Sequence, residues 1–97
     1  SLCWWRLSVA ARAYKWVSPG NDGVPDRIVI LPGETPYFVE LKSESGRLSA
    51  LQAIQIDRLR SMGQAVFVAR GLDGLSQFFQ DIGHEETSKA LDCRYGL

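Results

Sequence analysis

Several things are scarce in this chain, and each scarcity closes off a class of function. Its 97 residues hold two cysteines and one histidine. Cys3 and Cys93 stand at opposite ends without CxxC spacing, so they indicate neither a zinc site nor a disulfide framework. A reducing, intracellular setting is the simplest reading of that usage. His84 stands alone in a polar stretch near the end and is assigned no catalytic role. There is no charge excess either: 11 basic residues balance 11 acidic ones, which argues against a nucleic-acid binder that works by bulk charge. No apolar run approaches the roughly 20 residues of a membrane span. Ser1-Leu2-Cys3-Trp4-Trp5 is apolar but lacks the basic start and small-residue cleavage site of a signal peptide. Internal repeats and low-complexity tracts are absent. So is any Asp or Glu before Asp22, which leaves Arg6, Arg12 and Lys15 as the only charges in residues 1–21.

What is present suffices for one small α/β domain. With 45% hydrophobic residues the chain can build a single core. We expect that domain to span residues 1–83, followed by a polar, loosely ordered tail over 84–97. Residues 2–13 read as a helix with two apolar stripes, Leu2/Trp5/Val9/Ala13 and Trp4/Leu7/Ala11/Tyr14. Tyr14–Val17 reads as a short strand, and 18–23 as a loop. Two strands near 26–31 and 36–42 follow, apolar on both faces and therefore expected to be covered on both sides. Ser49 opens a helix to about Met62, with Leu48, Leu51, Ile54 or Gln55, Leu59 and Met62 as its expected buried stripe. Residues 64–70 read as a strand. The order strand, helix, strand predicts a parallel pair and a right-handed crossover. A last helix is expected from Leu75, Phe78, Phe79 and Ile82, capped by Asp73.

The stretch from Gly23 to Lys42 concentrates the chemistry. Between the two apolar strands lies Pro32-Gly33-Glu34, which is turn chemistry and predicts a hairpin. If those three residues form the loop, Leu31 faces Thr35 and Asp26 faces Glu40. Directly opposed residues hold their Cβ atoms roughly 4.5–5.5 Å apart, so the two carboxylates would repel. Lys42 shares the face of Glu40 by the two-residue strand period. A divalent metal held by Asp26 and Glu40 would resolve the repulsion, since hard cations take carboxylate oxygens. These charges fall where a buried pattern gives way to polar strand ends, a costly place to leave them without partners. Ser49 and Gln52 have the spacing of a capping box, so Gln52 has a structural use at the helix start.

Pro25-Asp26 followed by Glu40-Leu41-Lys42 resembles the signature of the PD-(D/E)xK nucleases. The longer string Lys15-Trp16-Val17-Ser18-Pro19, Gly23-Val24-Pro25-Asp26-Arg27-Ile28-Val29, Phe38-Val39-Glu40-Leu41-Lys42, Gly46-Arg47-Leu48-Ser49 and Gln52 resembles one branch of them, the virus-type replication-repair nuclease (VRR-NUC) domain. The likeness runs from about Ala13 to about Leu75.

That resemblance implies a restriction-endonuclease-like fold, with a mixed central sheet flanked by helices. It implies a DNA endonuclease using Mg²⁺ or Mn²⁺, with Asp26, Glu40, Lys42 and Gln52 as catalytic residues. Asp26, Glu40 and the Leu41 carbonyl would hold the metal. Lys42 would orient the attacking water or help deprotonate it. Lys15, Ser18 and Arg47 become candidate DNA contacts, although Arg47 and Ser49 also read as ordinary loop and cap. The implied setting is the cytoplasm of a bacterial or phage-infected cell, and the implied substrate is branched or four-way junction DNA. No organic cofactor and no membrane partner are expected. Cutting such junctions in pairs suggests a homodimer, with the first helix (Trp4, Trp5, Leu7) or the last (Phe78, Phe79) as its interface. In one respect the chain departs from the family, whose members carry an acid on the helix before the Lys-Trp strand. The alternative is therefore a catalytically silent module of the same fold that binds DNA or a protein.

Overall fold

The computed structural model describes residues 12–82. Over these the chain runs β1 (Arg12–Lys15), β2 (Arg27–Ile30), β3 (Tyr37–Lys42), α1 (Ala50–Ser61), β4 (Ala65–Arg70) and α2 (Gly71–Asp81). The strands form one sheet in the order β1-β2-β3-β4, antiparallel at the first two junctions and parallel between β3 and β4. This is the mixed sheet expected of a restriction-endonuclease-like α/β fold.

The hairpin has the register that its turn residues predict. Arg27 pairs with Val39, Ile28 with Phe38 and Val29 with Tyr37. One step further along the same ladder, Asp26 faces Glu40. Gly33 takes the positive φ of 73° that the tight turn requires, and the Glu34 N–H donates to the Leu31 carbonyl at 3.2 Å. The Tyr37 hydroxyl then donates to Glu34 Oε1 at 2.6 Å and pins the turn to the strand. That bond favours the protonated phenol, so the Tyr37 pKa is raised, with burial adding to the effect.

The two faces of the sheet are covered differently. Val29, Leu31 and Val39 on one face meet Ala69, Leu75, Phe78 and Phe79, so α2 closes this side. Phe78 lies edge-on to Phe67 at 5.0 Å and to Tyr37 at 5.8 Å. The other face carries Asp26, Ile28, Phe38, Glu40 and Lys42, and α1 packs over its β3–β4 side. Trp16 covers part of the remainder, with its ring 5.3 Å from that of Phe38. Tyr14 and Ile30 on this face stay exposed among the described residues. Among the described residues this face is therefore covered only in part.

Four expectations change. Arg12 and Ala13 belong to β1, not to a helix; the remainder of the 2–13 reading lies outside the described residues, as does the 84–97 tail. In α1 the expected apolar stripe faces solvent at Leu51, Ile54 and Met62, and the one fully buried position is Ile56. Gln52 sets the rotation of that helix: it must reach Glu40, and Ile56 lies one turn further on the same side. The N-cap of α2 is Arg70, without a side-chain cap bond, and Asp73 sits in the first turn instead. Phe78 and Phe79 are core residues at 2% and 0% exposure, so they supply no dimer surface. No helix among the described residues is long and apolar enough to cross a membrane.

Candidate active site

The chemistry gathers at one end of the sheet, where β3 and β4 finish and β2 begins. Asp26 is held there by backbone N–H donors on both sides, one to its carbonyl and one to its carboxylate. The Trp16 N–H donates to the Asp26 carbonyl at 2.9 Å, extending the β1–β2 ladder by one residue. The Leu41 N–H donates to Asp26 Oδ1 at 3.0 Å, tying the carboxylate to β3 just past Glu40. Pro25 is fully buried. Gly23 presses the preceding loop against the start of α1: it takes a φ of 91°, and a Cβ there would lie 2.6 Å from the Leu51 backbone. Only glycine fits that approach, and it brings Asp26 and the first turn of α1 together.

Glu40 is the most informative group. It is 5% exposed, although an isolated carboxylate is costly to bury. Two partners hold it, with Gln52 Nε2 donating to Oε2 at 3.1 Å and Lys42 Nζ 3.6 Å from the same oxygen. Burial pushes the Glu40 pKa up, and the facing Asp26 charge pushes it further; Lys42 and a hydrogen bond from the Asp26 backbone pull the other way. The net direction is upward, with burial the largest cause, so the charged form of Glu40 is held at a cost.

Gln52 fills both of the uses open to it. Its Oε1 accepts from the Ser49 N–H at 2.9 Å, its own N–H donates to Ser49 Oγ at 3.1 Å, and the capping box is complete. With the acceptor end of the amide held by the cap, the donor end is the one that faces Glu40.

The other candidates are placed less centrally. Lys15 pairs with Arg27, so by strand alternation it lies on the face opposite Asp26 and Glu40; Trp16, the residue just after β1, shares theirs. Ser18 Oγ accepts from Asn21 Nδ2 at 3.1 Å within the loop before Gly23. Arg47 is exposed on the loop that follows Lys42.

Two residues that sequence reasoning passed over belong to the same end. Arg27, 7% exposed, donates from Nη1 to the Asp26 carbonyl at 2.7 Å, and the same nitrogen lies 3.8 Å from Asp26 Oδ2. Arg70 pairs with Lys42 across the parallel ladder. The signal for Arg70 was available, since aligning the two parallel strands sets their last residues side by side.

Asp26 and Glu40 offer the carboxylate oxygens that hard divalent cations take, and such a cation would stabilise the buried charge of Glu40. The donor set fits a hard cation, but sparsely: no group of three or more His, Cys, Asp or Glu residues suited to a metal occurs among the described residues.

Comparison with known proteins bears on the same residues. The family model of the VRR-NUC domain matches residues 7–73, a span that includes every group above. "Putative nuclease p44" of Acyrthosiphon pisum secondary endosymbiont phage 1 is 43% identical over 61 residues, or 63% of this chain. The matched stretch spans 66% of that phage protein, just under two thirds of its length. A solved structure named "VRR_NUC domain" superposes with a TM-score of 0.70 at 28% identity, over 77% of this chain and 83% of that one.

Proposed function

The chain belongs to the VRR-NUC domain family, and from that premise we propose that it is a metal-dependent DNA endonuclease, a hydrolase of phosphodiester bonds. The observation that carries this reading is the buried Glu40 facing Asp26, with Lys42 and Gln52 converging on one of its oxygens. A surface cross-strand pair would have neither the burial nor the two partners. The likeness to a phage protein named as a nuclease supports the same reading.

Asp26 and Glu40, with the Leu41 carbonyl as a third oxygen, would hold Mg²⁺ or Mn²⁺. Such an ion polarises the phosphate and lowers the pKa of water. The chain's own residues do the rest. Gln52 keeps Glu40 oriented and leaves its second oxygen free of that bond. The hydrogen bond from the Leu41 N–H fixes Asp26 in the same way. Lys42, held at the strand end by Glu40, places an ammonium beside the reacting phosphate and orients the attacking water. In the hydrolysis that water gives up a proton and forms the new P–O bond, the P–O bond to the leaving strand breaks, and the departing oxygen takes up a proton.

Branched DNA is the proposed substrate, including four-way junctions, with a homodimer making paired cuts in the cytoplasm of a bacterial or phage-infected cell. A cleavage panel of single-stranded, duplex, flap and four-way junction DNA with Mg²⁺ or Mn²⁺ tests this. Metal-dependent cutting, strongest on junctions and abolished in folded Lys42→Ala, is the expected result. DNA binding without cutting under any of these conditions would instead support a silent module, the reading that the neutral net charge and the lack of an acid before Asp22 favour.

A further inference from the structure

Arg70 closes β4 at the same sheet end as the candidate site. It is the in-register partner of Lys42, and paired residues of neighbouring strands project to one face, so it lies on the face of Glu40 and Lys42. The loop after β3 folds back between them. A Cβ on Gly46 would sit 3.2 Å from Lys42 Cβ, and the Gly46 carbonyl accepts a 3.0 Å bond from Arg70 Nε. That bond uses one edge of the guanidinium and leaves both terminal nitrogens without a partner among the described residues. Glu44 lies close by, against Gly71, but forms no ion pair with Arg70 among the described residues. Lys42 is already paired with Glu40, whereas Arg70 has no such carboxylate among the described residues, and a guanidinium fork suits phosphate oxygens.

We propose that Arg70 is a phosphate-binding residue for the DNA substrate, gripping the sugar–phosphate backbone beside the phosphodiester that Lys42 addresses. This rests on the nuclease reading above. It also resolves the neutral net charge, because a cation set beside the reacting phosphate needs no excess elsewhere in the chain. The Gly46 bond holds the fork's orientation, so Arg70 has a loop-clasping role and a charge role that separate in two variants. Arg70→Gln retains an N–H donor for the Gly46 carbonyl and loses the charge; Arg70→Lys retains the charge and loses the fork.

The test is the salt dependence of binding to a fluorescein-labelled four-way junction with duplex arms, read by anisotropy in Ca²⁺ buffer, with melting curves to verify folding. Wild type binds with affinity that falls as salt rises. Arg70→Gln lowers the slope of log affinity against log salt by about 0.9, the value of one phosphate contact to duplex DNA. Arg70→Lys keeps the wild-type slope. Arg58→Gln, on the last turn of α1, removes a charge away from the site and also keeps it. The inference is overturned if Arg70→Gln keeps the full slope while Arg70→Lys weakens binding, which is the pattern of a loop clasp alone. An equal loss of slope in Arg58→Gln overturns it too, since the effect would then be bulk charge. A wild type that does not bind DNA removes the nuclease reading and this inference together.

Discussion

The two faces of the sheet solve different problems. On the α2 face, Val29, Leu31 and Val39 meet Phe78 and Phe79 in an apolar core that leaves little exposed. On the α1 face, one helix spends its inward side on Gln52 and Ile56 while Leu51, Ile54 and Met62 look outward. The first face is arranged by burial and the second by hydrogen bonds to one carboxylate. Stability and chemistry are thus carried by opposite sides of the same four strands, and substitutions on the two sides should fail differently.

The largest expected effect is on the α2 face. Phe79→Ala removes a fully buried ring and should cost about 3–5 kcal/mol. Native domains are stable by roughly 5–15 kcal/mol, so this variant stands near the edge of folding. Urea denaturation measures the loss; a shift below about 1 kcal/mol would show that the core does not rest on α2.

On the α1 face, Ser49→Ala and Gln52→Ala both break the capping box, and each should cost about 0.5–2 kcal/mol. Their activities should part. Ser49→Ala should retain turnover at low temperature, whereas Gln52→Ala also frees Glu40 and should lose it. Equal turnover in the two folded variants would reduce Gln52 to a cap residue.

These variants probe what could and could not be read from the chain. The hairpin register was legible because the turn Pro32-Gly33-Glu34 and a two-residue period determine it, and with it came the facing of Asp26 and Glu40. The spacing of Ser49 and Gln52 likewise announced the cap. The phase of α1 was not legible, because hydrophobic spacing assumes that apolar residues turn inward, and here a glutamine bonded to a buried carboxylate decides the rotation. The same assumption hid the strand at Arg12 and Ala13 behind an apolar stripe that matched a helical period. Lys15 entered as a candidate through the family resemblance, and strand alternation gives the face of Asp26 and Glu40 to Trp16.

Smaller effects sharpen the contrast through pH. Burial and Asp26 raise the pKa of Glu40 above its ordinary carboxylate value. A raised folded-state pKa means that the stabilising contribution of this group is fully present below its unfolded pKa and is lost as pH rises through the folded one. Without metal, Glu40→Gln should therefore be more stable than wild type at neutral pH, with the advantage shrinking as pH falls towards 4 and below. Melting curves across that range in EDTA check the sign; an advantage that grows on acidification would contradict it. The smallest effect is expected at Ile54→Gln on the outer side of α1, within about 0.5 kcal/mol of wild type. A larger loss in the same melting experiment would mean that something covers that side.

The claim that Asp26 and Glu40 form a metal centre is tested most directly by calorimetric titration of Mn²⁺ into the metal-free protein. The account predicts saturable binding in wild type that disappears in folded Asp26→Asn/Glu40→Gln. Binding of equal strength in the double variant, or no binding in wild type at millimolar Mn²⁺, would contradict it.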